Sequence, residues 1–172
     1  QNTSEVNRKV IIVGDSAVGK TSLISQFAND SFNPNYKKTY GADHKTKRFG
    51  IDGVDYCLIL WDQSDADDLK YDNALFKYRG CQCVLLVYDI TARETFLNIT
   101  LWMDEIAINS ASEICKILIG NKCDKPANER VVTEAEGRAL AAENDILFFE
   151  TSAKTNINVR TAFLAAVGDV GR

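Results

Sequence analysis

The segment GDSAVGKT, residues 14–21, fits the spacing G-x-x-x-x-G-K-[ST]. Its glycines allow successive backbone N–H groups to wrap around a phosphate, and the positive end of a following helix adds to the attraction. Lys20 would reach the β- and γ-phosphate oxygens, and the Thr21 hydroxyl would be a ligand of Mg²⁺. The alternative is a glycine-rich turn that matches by chance. The residues predicted to line the phosphates are Asp15, Ser16, Ala17, Val18, Gly19, Lys20, Thr21 and Ser22.

A phosphate loop alone leaves ATP and GTP both open, and the segment NKCD, residues 121–124, favours GTP. The Asp124 carboxylate can accept two hydrogen bonds, from N1–H and from the N2 amino group of guanine, which adenine cannot donate. Asn121 would hold the loop and meet the base edge, and the Lys122 stem would cover the base face. Taken alone, N-K-x-D could also be a capping asparagine followed by solvated charges.

The segment ETSAK, residues 150–154, is a third candidate for contact with the base. The backbone N–H of Ala153 is suited to guanine O6, and Lys154 can pack along the ring, with Ser152 beside them. This signal is weak alone and gains strength as the third motif in order.

The elements that must position these motifs are short apolar strands alternating with helical patterns. Asp52-Gly53 is a two-residue hairpin signal between two strands, so those two should be antiparallel. Further strands are predicted at 8–14, 83–89, 115–120 and 146–150, and helices at 92–108, 133–143 and 156–166.

This alternation predicts an α/β fold of three layers, in which helices cover both faces of a mainly parallel six-stranded sheet with one antiparallel edge strand. In such sheets ligands sit outside the carboxyl ends of the strands. Each motif follows directly on a predicted strand, so we expect all of them at one edge of the sheet.

Composition and charge exclude some functions. The 172-residue chain has a net charge of −4 and a pI near 5.1 without a Lys/Arg-rich run, which argues against nucleic acid as a ligand. No apolar stretch reaches the roughly 20 residues of a membrane-spanning helix, and the polar start is not a signal peptide.

The five cysteines lie in or beside apolar runs. Cys81 and Cys83 form a C-x-C motif that is too tight for ordinary disulfide geometry and lacks a second pair at zinc-finger spacing. Buried, reduced thiols are therefore favoured over a metal site, and a reducing compartment such as the cytosol follows.

The ordered motifs GDSAVGKT, LVYDIT, GNKCD and ETSAK resemble those of small GTPases of the Ras superfamily, and LVYDIT, GNKCD and ETSAKTNINV resemble the Rab branch. The resemblance spans about residues 8–167 and implies the P-loop GTPase fold. It also implies a switch between GDP and GTP forms that uses Mg²⁺ in vesicle trafficking, in the cytoplasm or at the cytosolic face of an endomembrane.

Residues 1–7 would then be a polar tail, 8–167 the nucleotide-binding domain, and 168–172 an end cut before a tail or further domain. Membrane contact would depend on a lipidated tail outside this sequence.

The same resemblance assigns further residues. Thr39 would meet Mg²⁺ and the γ-phosphate, Phe32 would stack on guanine, Tyr36 would cover the phosphates, and Asp62 would hold Mg²⁺ through water. An exchange factor and effectors would contact residues 36–48 and 61–79.

The sequence departs from the family pattern W-D-T-A-G-Q-E after the tryptophan. The seven positions here are Trp61, Asp62, Gln63, Ser64, Asp65, Ala66 and Asp67. Asp65 replaces the glycine whose N–H approaches the γ-phosphate, and Ala66 replaces the glutamine that orients the attacking water. A carboxylate about 5 Å from one phosphate charge costs roughly 3 kcal/mol at an effective dielectric of about 20.

Very slow GTP hydrolysis is therefore expected, with Lys20 as the remaining catalytic group, unless Gln63 substitutes for the missing side chain. The alternatives are a pseudo-GTPase, a nucleotide-stabilised interaction module that does not cycle, and an ATP-using P-loop enzyme, which NKCD disfavours.

The expected partner face also departs from the Rab pattern. His44 stands where a phenylalanine is usual, and the usual tyrosine pair becomes Lys77 and Tyr78. His44, the single histidine, could make a pH-sensitive contact or have no role. Standard Rab effectors are expected to fit poorly.

Overall fold

The computed structural model describes residues 5–29, 43–62, 78–110 and 113–168, and the strands found there form one sheet. They are β1 (Val6–Val13), β2 (Asp43–Ile51), β3 (Val54–Asp62), β4 (Cys83–Asp89), β5 (Cys115–Asn121) and β6 (Leu147–Thr151). Their spatial order is β2-β3-β1-β4-β5-β6. β2 and β3 are antiparallel, whereas the other neighbouring pairs are parallel. The predicted six-stranded sheet with one antiparallel edge strand is confirmed.

The local sequence explains the strands. All seven residues of β4 are buried, as a continuous apolar run in the centre of a parallel sheet requires. Asp52 and Gly53 have φ values of 51° and 80°, so both central residues of the hairpin turn take the left-handed conformation that Asp-Gly favours. β1 begins at Val6, two residues before the predicted start.

Five helices lie in the described part of the chain, together with a 3₁₀ turn at Ala127–Glu129. They are α1 (Lys20–Asn29), α2 (Arg93–Leu97), α3 (Ile99–Asn109), α4 (Glu134–Glu143) and α5 (Val159–Gly168). The predicted helix 133–143 is confirmed: Thr133 is its N-cap and forms a capping box with Glu136. None of these helices is both long enough and apolar enough to cross a membrane.

Two helix predictions are corrected. The single helix predicted at 92–108 is two helices divided at Asn98, whose backbone N–H bonds to Glu94 O and whose side chain is drawn into a tertiary hydrogen bond with Asp15. The last helix begins at Val159 rather than at 156. Asn156 and Asn158 both have a φ of 57°, which a right-handed helix cannot accommodate.

Helices cover both faces of the sheet. On one face, α1 and α5 meet through stacked Phe27 and Phe163 rings, whose centroids are 4.5 Å apart. On the other, α2, α3 and α4 pack around Tyr88, whose ring lies edge-on to Phe96 at 4.8 Å. These two cores pack against the two faces of the sheet, and the carboxyl ends of the parallel strands form one edge, where the predicted motifs lie.

Candidate functional site

The loop between β1 and α1 packs tightly against the ends of β4 and β5. Gly14 has a φ of 149°, and a Cβ there would lie 2.2 Å from the backbone oxygen of Val87. Gly19 has a φ of 104°, and its Cβ would lie 2.3 Å from Asn121 Nδ2. No side chain fits at either position without displacing a neighbouring strand end, so the glycines allow the close approach that shapes the loop.

Lys20 begins α1 and is only 5% exposed. Its Nζ donates to the backbone oxygens of Gly14 at 2.7 Å and Asp15 at 2.9 Å, so the ammonium lies inside the curve of the loop. A buried ammonium requires oxygen acceptors, and phosphate oxygens satisfy the same requirement. The position is therefore suited to an anionic ligand seated on this loop.

Thr21 and Asp62 bring two hard oxygen donors together beside Lys20. The Thr21 hydroxyl, in the first turn of α1, donates to Asp62 Oδ2 at the end of β3 over 2.5 Å. Mg²⁺ is usually held by one or two protein oxygens together with phosphates and waters, so this donor set fits Mg²⁺. In the described part of the chain, no group of three or more acidic, histidine or cysteine side chains could hold a metal ion by itself. A Mg²⁺ ion held by Thr21, Asp62, phosphates and waters does not require such a group.

Asn121 joins three segments at the end of β5. It is 2% exposed; its Nδ2 donates to Val18 O at 2.9 Å, and its Oδ1 accepts from the Thr151 hydroxyl at 2.9 Å. Both ends of the amide are thus used to lock the phosphate loop to β6. Asn121 therefore links the phosphate loop to β6, and its contact with the base edge stays a prediction.

The Asp124 carboxylate is oriented by Ser152. The Ser152 hydroxyl donates to Asp124 Oδ1 at 2.7 Å and accepts from the Thr155 backbone N–H at 3.0 Å. The neighbouring Ala153 backbone is held by Gln26, whose Nε2 donates to its oxygen at 2.7 Å. A carboxylate and a backbone segment from two different strand ends therefore occupy fixed positions next to the phosphate loop.

Lys122 spans the gap between the two loops. It has a φ of 72°, and its Nζ pairs with Asp89 Oδ2 at 2.9 Å and donates to Ala17 O at 2.8 Å. The other Asp89 oxygen accepts from the Thr91 N–H at 2.8 Å. The Lys122 ammonium thus links NKCD to the end of β4 and to the phosphate loop, and its covering of the base face stays a prediction.

Other predicted site residues vary in their placement. The Asp15 side chain accepts from Asn98 Nδ2 at 2.7 Å and Trp102 Nε1 at 3.0 Å, so it anchors the loop to the start of α3. Val18 is fully buried in the core, and Lys154 is exposed. Ser16 and Ser22 are half-buried, and Ala17 is exposed.

Three residues of this network escaped the sequence reasoning: Asp89, Thr151 and Gln26. Asp89 and Thr151 end strands next to the motifs, which is a signal that could have identified them. Gln26 lies in the middle of α1 and reaches Ala153 across 127 positions of sequence, so no local pattern indicates it.

The site residues carried over by resemblance alone fall mostly outside the described residues. Those outside are Phe32, Tyr36 and Thr39. The divergent positions Gln63, Asp65 and Ala66 also lie outside the described residues, as does Lys77 of the expected partner face.

The expected partner face is described in part. His44 is exposed and lies against Trp61, with ring centroids 4.9 Å apart, while Lys9 Nζ is 5.3 Å from the Trp61 ring centroid. Tyr78 is 3% exposed and its hydroxyl donates to Glu105 at 2.5 Å, so it does not belong to the exposed aromatic surface. Burial, together with Glu105, raises the pKa of Tyr78 far above its usual value.

Comparison with known proteins gives a consistent result. A family model described as the Ras family matches residues 9–172. Ras-related protein RABA5e of Arabidopsis thaliana is 40% identical over 94% of this chain and 73% of its own length. The GTP-binding protein yptV2 of Volvox carteri is 41% identical over 94% of this chain and 74% of its own length. Ras-related protein Rab-13 of Rattus norvegicus is 42% identical over 94% of this chain and 79% of its own length.

Proposed function

The chain belongs to the Ras family, as a Rab-like small GTPase in trafficking, and we propose that it binds GTP and GDP with Mg²⁺ while hydrolysing GTP very slowly. The observation that carries the proposal is the Asp124 carboxylate, held by Ser152 beside a phosphate loop. Guanine selection and phosphate binding are then properties of one edge of the sheet.

Base selection follows from the chemistry of this carboxylate. With Oδ1 occupied by the Ser152 hydroxyl, the acid is oriented to accept from N1–H and the N2 amino group of guanine. Adenine offers no such donor pair and would leave a desolvated carboxylate unpaired, which costs roughly 1–3 kcal/mol or more. The printed name of the Volvox relative, a GTP-binding protein, supports the same preference.

The phosphate end is proposed to use Lys20, the loop N–H groups and the Thr21–Asp62 pair. Lys20 would exchange its two backbone acceptors for phosphate oxygens. A negatively charged phosphate oxygen is a stronger acceptor for an ammonium than a neutral carbonyl oxygen is. Mg²⁺, when bound, would neutralise charge on the terminal phosphates. Thr21 and Asp62 would hold it, with Thr39 completing the set.

Slow hydrolysis is proposed from the sequence of the second switch. Loss of one positioned polar group in a catalytic site costs roughly 3–4 kcal/mol in the barrier. Unassisted turnover in a small GTPase that keeps its glutamine is on the order of 10⁻⁴ s⁻¹. With Ala66 in place of that glutamine, and Asp65 adding negative charge, turnover should be close to undetectable.

The same substitutions favour a second candidate function, a pseudo-GTPase that binds nucleotide to stabilise an interaction surface and does not cycle. Exchange factors and effectors would meet either form at residues 36–48 and 61–79, with His44 and Trp61 on that side. The two candidates differ only in turnover.

Two experiments test these proposals. Chromatography of nucleotide released from the purified, denatured protein should find GDP or GTP, and ATP or no nucleotide would overturn both candidates. Single-turnover hydrolysis of bound γ-labelled GTP then separates them. Conversion that a partner protein accelerates supports a cycling switch, whereas a complete lack of conversion under every condition supports the interaction module.

A further inference from the structure

Two cysteine side chains meet at the end of the sheet opposite the nucleotide site. Cys83 begins β4 and Cys115 begins β5, and the two residues are direct partners in the parallel register. Their Sγ atoms are 3.0 Å apart, although 32 positions separate them in sequence. The register of two neighbouring strands therefore brings together two thiols that are distant in the sequence.

The spacing of the two strands is compatible with a disulfide. Neighbouring strands lie about 4.8 Å apart, within the roughly 4.4–6.8 Å that Cα atoms span in disulfides. Both side chains point to the same face of the sheet, where Cys115 packs against the core that contains Cys83. Bond formation would therefore join two side chains that already lie on one face of the sheet.

The two sulfurs differ in access to solvent. Cys83 is fully buried, whereas Cys115 is half-buried and lines an open cleft of about 610 Å³ together with Glu113, Lys116 and Asp145. A small oxidant entering the cleft meets Cys115 first, and Cys83 is the thiol placed behind it.

Cys81 is a bystander in this arrangement. Its Sγ donates to the Cys83 backbone oxygen at 2.9 Å, and burial raises the pKa of its thiol to about 11. It therefore stays protonated at neutral pH and is directed at a carbonyl rather than at a sulfur.

We propose that Cys83 and Cys115 are a reversible oxidative modification site, forming a cross-strand disulfide with a peroxide as the oxidant. The Cys115 sulfur attacks the O–O bond of hydrogen peroxide, becomes a sulfenic acid and releases one water. The Cys83 sulfur then displaces the sulfenic hydroxyl, which leaves as a second water with the Cys83 thiol proton. Two thiols are oxidised to one disulfide while the peroxide is reduced to two waters, and cytosolic thiols reverse the bond.

The test uses the full chain treated with hydrogen peroxide, then digested and analysed by mass spectrometry without reduction. We expect a linked peptide pair that carries Cys83 and Cys115, lighter by two hydrogens than the separate peptides and separated again by dithiothreitol. Cys115→Ser should abolish the link. Cys57→Ser, at a buried cysteine of β3, and Cys81→Ser should both retain it.

Three results would overturn the proposal: Cys115 oxidised to sulfenic or sulfinic acid without any link, loss of the link in Cys81→Ser, or a link to Cys81 instead. If a serine variant does not fold, the wild-type chain is treated with phenylarsine oxide instead, because this arsenical bridges two nearby thiols. Binding of one arsenical per chain that blocks both Cys83 and Cys115 supports the pair, and failure to block them refutes it.

Discussion

Replacing Asp124 by asparagine tests the base selection proposed for this chain. The amide oxygen of the Asp124→Asn variant would still accept from the Ser152 hydroxyl, which lies 2.7 Å from Oδ1 of the native carboxylate, so the local fold should survive. The second carboxylate oxygen becomes an NH₂ group that faces the N2 amino group of guanine. The amide oxygen can still accept from N1–H, whereas the hydrogen bond from the N2 amino group is lost and a donor–donor contact replaces it.

The magnitude follows from these contacts. The lost hydrogen bond to a charged group contributes roughly 1.5–3 kcal/mol, and the two donors left facing each other cost roughly 1–3 kcal/mol more, which together is about 3–6 kcal/mol. At about 1.4 kcal/mol per factor of ten, the affinity for GDP should fall by about 10²–10⁴-fold. Xanthosine diphosphate should gain affinity, because its C2 carbonyl accepts from the new amide.

The assay is displacement of a fluorescent GDP analogue by GDP, inosine, xanthosine and adenosine diphosphates. Inosine diphosphate lacks the N2 amino group and should bind the wild type more weakly than GDP by one such hydrogen bond. Asp145→Asn, the same change in an exposed turn, is the matched control and should leave all four affinities unchanged. An unaltered preference for GDP over the other nucleotides in D124N would refute the reasoning.

Three further outcomes are expected. Asp65→Gly combined with Ala66→Gln should raise single-turnover GTP hydrolysis by about 10²-fold or more, since a positioned polar group is worth roughly 3–4 kcal/mol. The pKa of Glu136 is lowered from about 4.5 to about 2, mainly by the hydrogen bond from Arg93 and next by the hydrogen bond from the Thr133 backbone N–H of the capping box. Its carboxylate therefore stabilises the fold above pH 4.5 and loses this effect as the pH falls towards 2, so E136Q should flatten that part of the stability curve in urea unfolding. Gly137→Ala should cost roughly 1–3 kcal/mol in the free energy of unfolding, because its Cβ would lie 2.4 Å from Tyr88 Oη.

Matched variants make these outcomes specific. Asp65→Gly with Ala66→Met restores side-chain length without an amide, and equal acceleration would argue against a water-orienting role. Glu143→Gln, at the other end of α4, should keep the wild-type acid dependence. Among the described residues, no atom lies within 4 Å of the Cβ that Gly168→Ala would add, so a loss as large as that of Gly137→Ala would show that close packing is not the cause.

The sheet and the position of the motifs could be predicted because both depend on local patterns. Continuous apolar runs bounded by glycine or polar residues predicted β4 and β5 closely, and Asp52-Gly53 predicted the antiparallel hairpin. Parallel strands place their carboxyl ends at one edge, so the joint location of the phosphate loop, NKCD and ETSAK followed from their places after strands.

The misplaced helix boundaries have a different origin. Periodicity runs through Asn98 and through 156–158 without a break, and it carries no information on tertiary hydrogen bonds or left-handed backbone. The break at Asn98 accompanies its bond to Asp15, 83 positions away, and the late start of α5 accompanies the bridge between Ser152 and Ile157.

The sequence by itself determined the chemistry available to this protein: which residue types follow which strands, and the absence of glycine and of the expected glutamine from the second switch. Only the tertiary structure decided which groups meet. Gln26 reaches Ala153, Thr151 locks Asn121, and Cys83 lies against Cys115 because strand order and register bring distant segments together. Spacing along a chain specifies local geometry, whereas contacts between strands depend on how the whole core packs.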